Sequence, residues 1–140
     1  MRVRIETDGA SRGNPGLAAG AAVLYDETGR PLVRVTEYLE HATNNVAEYT
    51  GLLIGLREAK AMGADKVDVF ADSELMVRQL RGVYRVKNEG LKPLYVEVAR
   101  LLSGFAAYRL EHVPRRLNKA ADRAANDAVD RRASFREEFA

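Results

Sequence analysis

Asp8, Glu48, Asp72 and Asp122 are the residues of this chain whose types and settings can do chemistry. Asp8 follows an alternating run, Val3 to Thr7, and precedes Gly9-Ala10-Ser11-Arg12-Gly13-Asn14-Pro15-Gly16. That pattern reads as a strand that ends by delivering a carboxylate into a turn of small residues, with backbone open beyond it. Asp72 closes a second short strand pattern, Lys66 to Ala71, in the same way. Glu48 stands four residues before Leu52 and eight before Leu56, so helical spacing puts it on the stripe that faces a sheet. Asp122 falls in the first turn or two of a last, alanine-rich helix. Each acid alone has an ordinary explanation: a hairpin turn for Asp8, a wet first-turn acid for Glu48, a partner for nearby arginines for Asp122. Together, at two strand ends and two helix starts, they face one rim, where open α/β sheets bind ligands. Carboxylates gathered there repel and raise one another's pKa values unless cations neutralise them. Oxygen-only ligation suits Mg2+ or Mn2+, and two such ions roughly 4 Å apart can activate a water and stabilise the leaving oxygen of a phosphodiester.

The elements that must position these acids are legible in order. After the glycine turn, Ala18 to Tyr25 is a small-residue apolar run, Asp26-Glu27-Thr28-Gly29 a turn, and Pro31 to Glu40 a third strand. Thr43-Asn44-Asn45 offers caps for a helix from about Val46 to Met62 that Gly63 ends. Its buried stripe is Leu52, Leu53, Leu56 and Ala59, with Gly51 and Gly55 spaced for close approach to a sheet. Ser73 caps a short helix through Leu80, and Arg81 to Lys92 is irregular. Leu94 to Leu102 is helical, Phe105 to Val113 a last strand, Leu117 to Val129 a last helix, and the charged tail from Asp130 is expected to fray. The fold class is therefore α/β, with element order βββαβααβα and a five-stranded mixed sheet flanked by helices.

A single domain over residues 1–140 is expected, large enough to bury a core without staples. The chain has no cysteine, which excludes thiol catalysis, zinc-thiolate sites and disulfides, and suits a cytoplasmic protein. No apolar run approaches a membrane span, and no leader pattern precedes the first strand. Net charge is +2 with a pI near 9.0, but Arg78, Arg81, Arg85, Lys87 and Lys92 face only Glu89, giving that stretch +4 and leaving −2 for the rest. A backbone-binding patch is expected there, a solvated basic loop being its plainer alternative. A monomer is expected.

The ordered set Asp8-Gly9, Gly13-Asn14-Pro15-Gly16, Thr43-Asn44-Asn45 with Glu48, Asp72-Ser73, and Val113-Pro114 leading to Asn118 and Ala121-Asp122 resembles the type 1 ribonucleases H across nearly the whole chain, in a short form without a long basic handle. The resemblance implies that Asp8, Glu48, Asp72 and Asp122 are the metal-binding acids, holding two Mg2+ or Mn2+ ions with substrate bound. It implies an RNA/DNA hybrid as the substrate, whose RNA strand is hydrolysed to leave 3′-hydroxyl and 5′-phosphate ends. The 2′-hydroxyl that distinguishes RNA both donates and accepts hydrogen bonds, and the Gly9 to Gly13 turn, with Ser11, and Glu48 are placed to test for it. Asn14 and Asn44 resemble groove-contacting positions, and Thr43 and Asn88 a pocket for a DNA phosphate. Arg81, Arg85 and Lys87 stand for the handle.

Three departures from the family pattern stand out. The loop that often carries a histidine reads Pro114-Arg115-Arg116-Leu117-Asn118-Lys119, so Arg115 or Arg116 takes an auxiliary part by attracting phosphate. His41, in the loop before the first long helix, and His112, in the preceding strand, are structural or substrate-edge residues. Glu74 stands where many relatives have glutamine and adds negative charge beside the metals or the RNA. Two other classes compete with the nuclease: a non-catalytic nucleic-acid-binding module on the same fold, and a related metal-dependent nuclease or integrase acting on DNA. A sugar-kinase or actin-type ATPase shares the opening Asp-Gly turn but needs a longer chain and a second phosphate loop.

Overall fold

The structure, a computed structural model, describes residues 1–140. Its elements are β1 (Arg2–Gly13), β2 (Gly16–Tyr25), β3 (Pro31–Ala42), α1 (Asn44–Ala61), β4 (Lys66–Ala71), α2 (Glu74–Leu80), α3 (Lys92–Ser103), β5 (Ala107–His112), α4 (Lys119–Arg131) and β6 (Arg136–Glu138), with a 3-10 turn at Arg115–Leu117. They build one sheet in the order β5-β4-β1-β2-β3-β6. The first three strands form an antiparallel meander, and helical crossovers bring β4 and β5 in parallel to β1. This is the mixed α/β architecture expected, with six strands in place of five.

The sixth strand corrects the expectation of a frayed tail. Two guanidiniums lie over the Phe135 ring, those of Arg34 at 4.9 Å and Arg131 at 4.1 Å. The Thr36 hydroxyl accepts from the Phe135 N–H at 2.9 Å, and the Thr36 N–H donates to the Phe135 carbonyl at 2.9 Å. Arg34 also donates to Asp127 on α4 and to Glu137 in the tail. A chain end with no apolar period is thus held by stacking, backbone pairing and shared charge, none of which leaves a mark in a hydrophobicity pattern.

A second correction concerns β1. The glycine turn was expected to end the strand at Thr7, but pairing with β2 continues in unbroken register from Arg4↔Tyr25 to Gly13↔Gly16. Asp8 therefore sits within a strand, although the parallel pairing with β4 does stop at Thr7↔Ala71. Small residues lower strand propensity, yet opposite the equally small Ala18, Ala19, Gly20 and Ala21 they allow close pairing without side-chain loss. His41 likewise lies in β3 rather than in a loop.

One helix covers each face at the rim. α1 starts where the Thr43 hydroxyl accepts from the Val46 N–H, the cap read from sequence, and buries Leu52, Leu53, Leu56 and Ala59 against Val3, Ile5, Val67 and Val69. Each fully buried leucine contributes roughly 1.5–3 kcal/mol by leaving water. On the opposite face, α4 lays Ala124 and Ala125 against Ala21, and Ala128 and Val129 against Ala19. Alanines on both sides let this helix lie close to the sheet, which matters because it carries Asp122.

Candidate active site

The register of β1 and β4 makes the centre of the site. Thr7 is opposite Ala71 in a parallel pair, so Asp8 and Asp72 follow side by side. Asp8 is only 6% exposed, and the Gly9 N–H donates to its Oδ1 at 2.8 Å. Burial raises its pKa from 3.8 to about 9, and the charges of Asp72 and Asp122 push in the same direction against the pull of the Gly9 N–H. Glu48 comes in from α1. Its pKa is raised to about 7, chiefly by burial and further by Asp72, while Ser73 and the charge of Arg115 draw it down. The four acids expected at one rim are thus brought within electrostatic reach of one another, with Arg115 beside them.

Backbone contact sets how close Glu48 comes. A Cβ on Gly9 would lie 2.4 Å from the Glu48 backbone nitrogen, and one on Gly51 would lie 2.5 Å from the Asp8 carbonyl oxygen. Helix and strand touch through main chain at these points, so Gly9 is a packing position whose N–H is already spent on Asp8. Any substrate contact by Gly9 would run through its carbonyl rather than its N–H.

Asp122 is set by a residue whose role has no mark in the sequence pattern. Asn118 is fully buried, and its Nδ2 donates to the Thr7 carbonyl at 2.7 Å. That bond ties the start of α4 to the residue preceding Asp8. Asparagine at a helix start ordinarily reads as a cap, but this side chain makes no capping bond and points into the sheet instead. Replacing Asn118 by alanine is expected to lower stability by about 1–3 kcal/mol, by leaving a buried carbonyl unpaired, and to lower turnover more than substrate affinity. Thermal melts and separate kcat and KM values check this.

The donor set fits a hard divalent cation. It is all carboxylate, and Asp72 Oδ2 is buried with no hydrogen-bond partner. No three acids form a closed group of metal-ligand dimensions. The carboxylates are arranged for joint use, without a preformed cage.

The remaining sequence-predicted residues divide. Asn14 Oδ1 accepts from the Asn44 N–H at 3.0 Å, beside the cap Thr43, so these three gather where the β1–β2 turn meets α1. Ser11 donates to the Gly13 and Ala42 carbonyls and closes the same corner. Asn88 stands apart, its Oδ1 accepting from the Gly90 N–H within the loop before α3. Glu74 is exposed on α2 and paired with Arg78 at 2.9 Å, so its charge is partly matched. The basic stretch, whose one internal acid is Glu89, also meets Glu74 and Glu111 from outside it. Arg81 donates to the Leu110 carbonyl and lies 3.6 Å from Glu111, while Lys92 holds Glu89 at 2.6 Å. Arg85 and Lys87 remain exposed and outside any ion pair. His41 and His112 are both exposed, His112 at the end of β5 opposite Ala71.

A mixed sheet in this strand order, with helices on both faces and acids from β1, the end of β4, α1 and α4 at one rim, defines a ribonuclease H-like domain. A family model described as reverse transcriptase-like matches residues 6–128. The bifunctional protein Rv2228c of Mycobacterium tuberculosis is 47% identical over 131 residues, which are 93% of this chain and 36% of that protein. The chain thus spans little more than a third of that relative's length. The crystal structure of RNase H1 from Halobacterium salinarum superposes with a TM-score of 0.90 at 39% identity, covering 94% of this chain and 99% of that one. LC11-RNase H1, isolated from compost and solved in complex with an RNA/DNA hybrid, gives 0.86 at 38% identity over 92% of this chain and 97% of that one. The chain belongs to the type 1 ribonuclease H family.

Proposed function

We propose that this chain is an endoribonuclease that hydrolyses the RNA strand of RNA/DNA hybrids, leaving 3′-hydroxyl and 5′-phosphate ends. The observation that carries the reading is the side-by-side placement of Asp8 and Asp72, with Asp122 and Glu48 close enough for their charges to act within the same cluster. The kinship with a protein solved on an RNA/DNA hybrid supports the substrate class. Asp8, Glu48, Asp72 and Asp122 would hold Mg2+ or Mn2+, two ions when substrate is bound. Such ions supply an activated water and charge stabilisation of the leaving oxygen.

The chain's own residues do the rest. Gly9 N–H and the buried Asn118 tie keep Asp8 and Asp122 in place, so little reorganisation accompanies binding. The corner of Ser11, Asn14, Thr43 and Asn44 offers short polar groups and backbone to the minor groove, where the 2′-hydroxyl is read. Arg115 brings positive charge to the side of the acids, where a scissile phosphate is attracted, and Arg116 stands next to it on the same 3-10 turn. Arginine holds its proton near neutral pH, so this contribution is electrostatic. No helix is long and apolar enough to cross a membrane. A monomer working in the reducing cytoplasm completes the reading, in keeping with a chain that lacks cysteine.

Labelled hybrid, double-stranded RNA, single-stranded RNA and double-stranded DNA, each incubated with Mg2+ or Mn2+, test the reading. Cleavage confined to the RNA of the hybrid is expected. Binding without cleavage under either metal would make the chain a non-catalytic module, and cleavage of DNA would make it a nuclease of another substrate class.

Arg85 and Lys87 are expected to contribute affinity by binding backbone phosphates. Neutralising both should flatten the dependence of log affinity on log salt by on the order of one unit for each phosphate no longer held, with less effect on turnover. Arg81, committed to Leu110 and Glu111, should contribute less to that slope. Hybrid binding measured across a salt series in EDTA decides; an unchanged slope makes the pair a solvated loop.

A further inference from the structure

Arg115, Arg116, Lys119 and Arg123 line one open cavity of about 460 Å³ together with Asp122, and no apolar residue lines it. All four cations are exposed. None enters any of the chain's ion pairs. Many cations elsewhere are matched, Arg2 to Asp68, Arg34 to Asp127 and Glu137, Arg100 to Glu97, and Arg136 to Glu58, and the unpaired ones, such as Arg85 and Lys87, line no cavity of this all-polar kind. Two elements converge to make the cluster. Lys119 and Arg123 stand one helical turn apart on α4, while Arg115 and Arg116 come from the 3-10 turn that leads into it.

Like charges gathered outside ion pairs repel one another, and only Arg115 is relieved in part, by the charge of Glu48. An anion relieves that repulsion. With four cations against one acid and no apolar wall, the ligand must be polar and carry several negative charges. Guanidinium forks match phosphate oxygens in pairs, and the lysine adds a mobile point charge, so linked phosphates are the chemistry that fits. Asp122 places the cavity against the catalytic rim.

We propose that Arg115, Arg116, Lys119 and Arg123 form a phosphate cradle that takes an uncut phosphate of the nucleic-acid strand next to the bond being hydrolysed. The choice of occupant rests on the nuclease reading above, whereas affinity for linked phosphates does not. Lys119 and Arg123 are then specificity residues, since they make cleavage depend on strand continuing past the cut. A free polyphosphate competes for the same place.

The test uses the full chain in EDTA, so that metal chelation plays no part. Inorganic tripolyphosphate is titrated by calorimetry into the wild type and into the Lys119→Ala, Arg123→Ala double variant, and its competition with hybrid is measured on the same samples. Melting curves confirm folding, and Lys119→Arg with Arg123→Lys, which keeps the charge, serves as a rescue. Removing two charge-assisted bonds is expected to weaken tripolyphosphate at least roughly ten-fold. The salt slope of hybrid binding should fall by about two. With metal present, KM should rise about ten-fold while kcat stays within about three-fold. Equal tripolyphosphate affinity in wild type and double variant, or none in wild type, overturns the cradle. Loss of tripolyphosphate with unchanged hybrid affinity and salt slope overturns the assigned occupant, leaving a site for a free phosphate ligand. If the wild type cuts no hybrid with either metal, the nuclease reading fails, and the calorimetry still decides the cradle.

Discussion

Asp8→Asn abolishes metal-dependent hydrolysis of hybrid and leaves the fold intact, and Asp72→Asn does the same; this is the expected result with the largest effect on activity. The two carboxylates follow directly on the parallel pair Thr7↔Ala71, one is nearly buried, and the other has a buried oxygen without a partner. Asparagine keeps the shape and one acceptor but removes the charge that binds a cation, so turnover should fall by at least about a thousand-fold, more than removing an auxiliary electrostatic group produces. Hydrolysis at the wild-type rate in either variant would sink the assignment.

The same substitution should improve the metal-free protein, with a pH signature whose sign is fixed. Unfolded, Asp8 titrates at its ordinary 3.8; folded, burial and the Asp72 and Asp122 charges hold its proton to about 9. Between those values the native state binds more protons than the unfolded state, so stability falls as pH rises. Glu48 adds to the fall between 4.5 and about 7. The acids whose pKa values are lowered, Asp26, Asp65, Asp68 and Glu97, act in the opposite sense but below their ordinary values of 3.8 and 4.5. Above about pH 5 the site's own acids therefore dominate. Melts in EDTA should show the wild type losing stability toward pH 8.5 or so and Asp8→Asn losing less, with Mg2+ restoring only the wild type. A wild type whose stability rises over that interval refutes the assignment of these acids as a repelling cluster.

Much of this arrangement was readable from residues, and the parts that were not have physical reasons. The period-two run into Asp8, its echo at Asp72 and the helical spacing of Glu48 before Leu52 and Leu56 point three acids toward one rim, because hydrophobic period reports which way a side chain faces. The same logic could not find the end of β1. Glycine and alanine read as turn residues, and only the matching small residues of β2 keep them paired. Nor could it find β6, held by the contact of Phe135 with two arginines, or Asn118, whose amide reaches a carbonyl 111 residues away. Long-range polar bonds have no period. Charge counting likewise could not show the partners of Arg81 on β5, which are remote in sequence.

Gly51→Ala is expected to lower stability and to carry activity down with it. The added methyl would lie 2.5 Å from the Asp8 carbonyl oxygen, 2.8 Å from that of Ala21 and 2.9 Å from the Ala21 nitrogen. All three are backbone atoms of paired strands, so no side chain can rotate away. Overpacking of this kind costs typically 1–3 kcal/mol, and here the only relief is for α1 to lift from the sheet, which also loosens Leu52 and Leu53, the next two residues along the helix. Helix propensity works in the opposite direction, since alanine at an interior helical position gains about 1 kcal/mol over glycine. The sign of the result therefore decides whether close approach or propensity governs this position. Close approach should win, lowering the melting temperature by roughly 5–10 °C for a chain of this size. Lifting α1 moves Glu48 away from Asp8, so turnover should fall by more than the unfolded fraction accounts for, with substrate affinity changed less. Gly63→Ala is a poor comparison because φ there is +86°, but Ala61→Gly, at the helix end, reports propensity without the clash. If Gly51→Ala raises the melting temperature and keeps full turnover, the main-chain contact between α1 and β1 is not what sets the distance from Glu48 to Asp8.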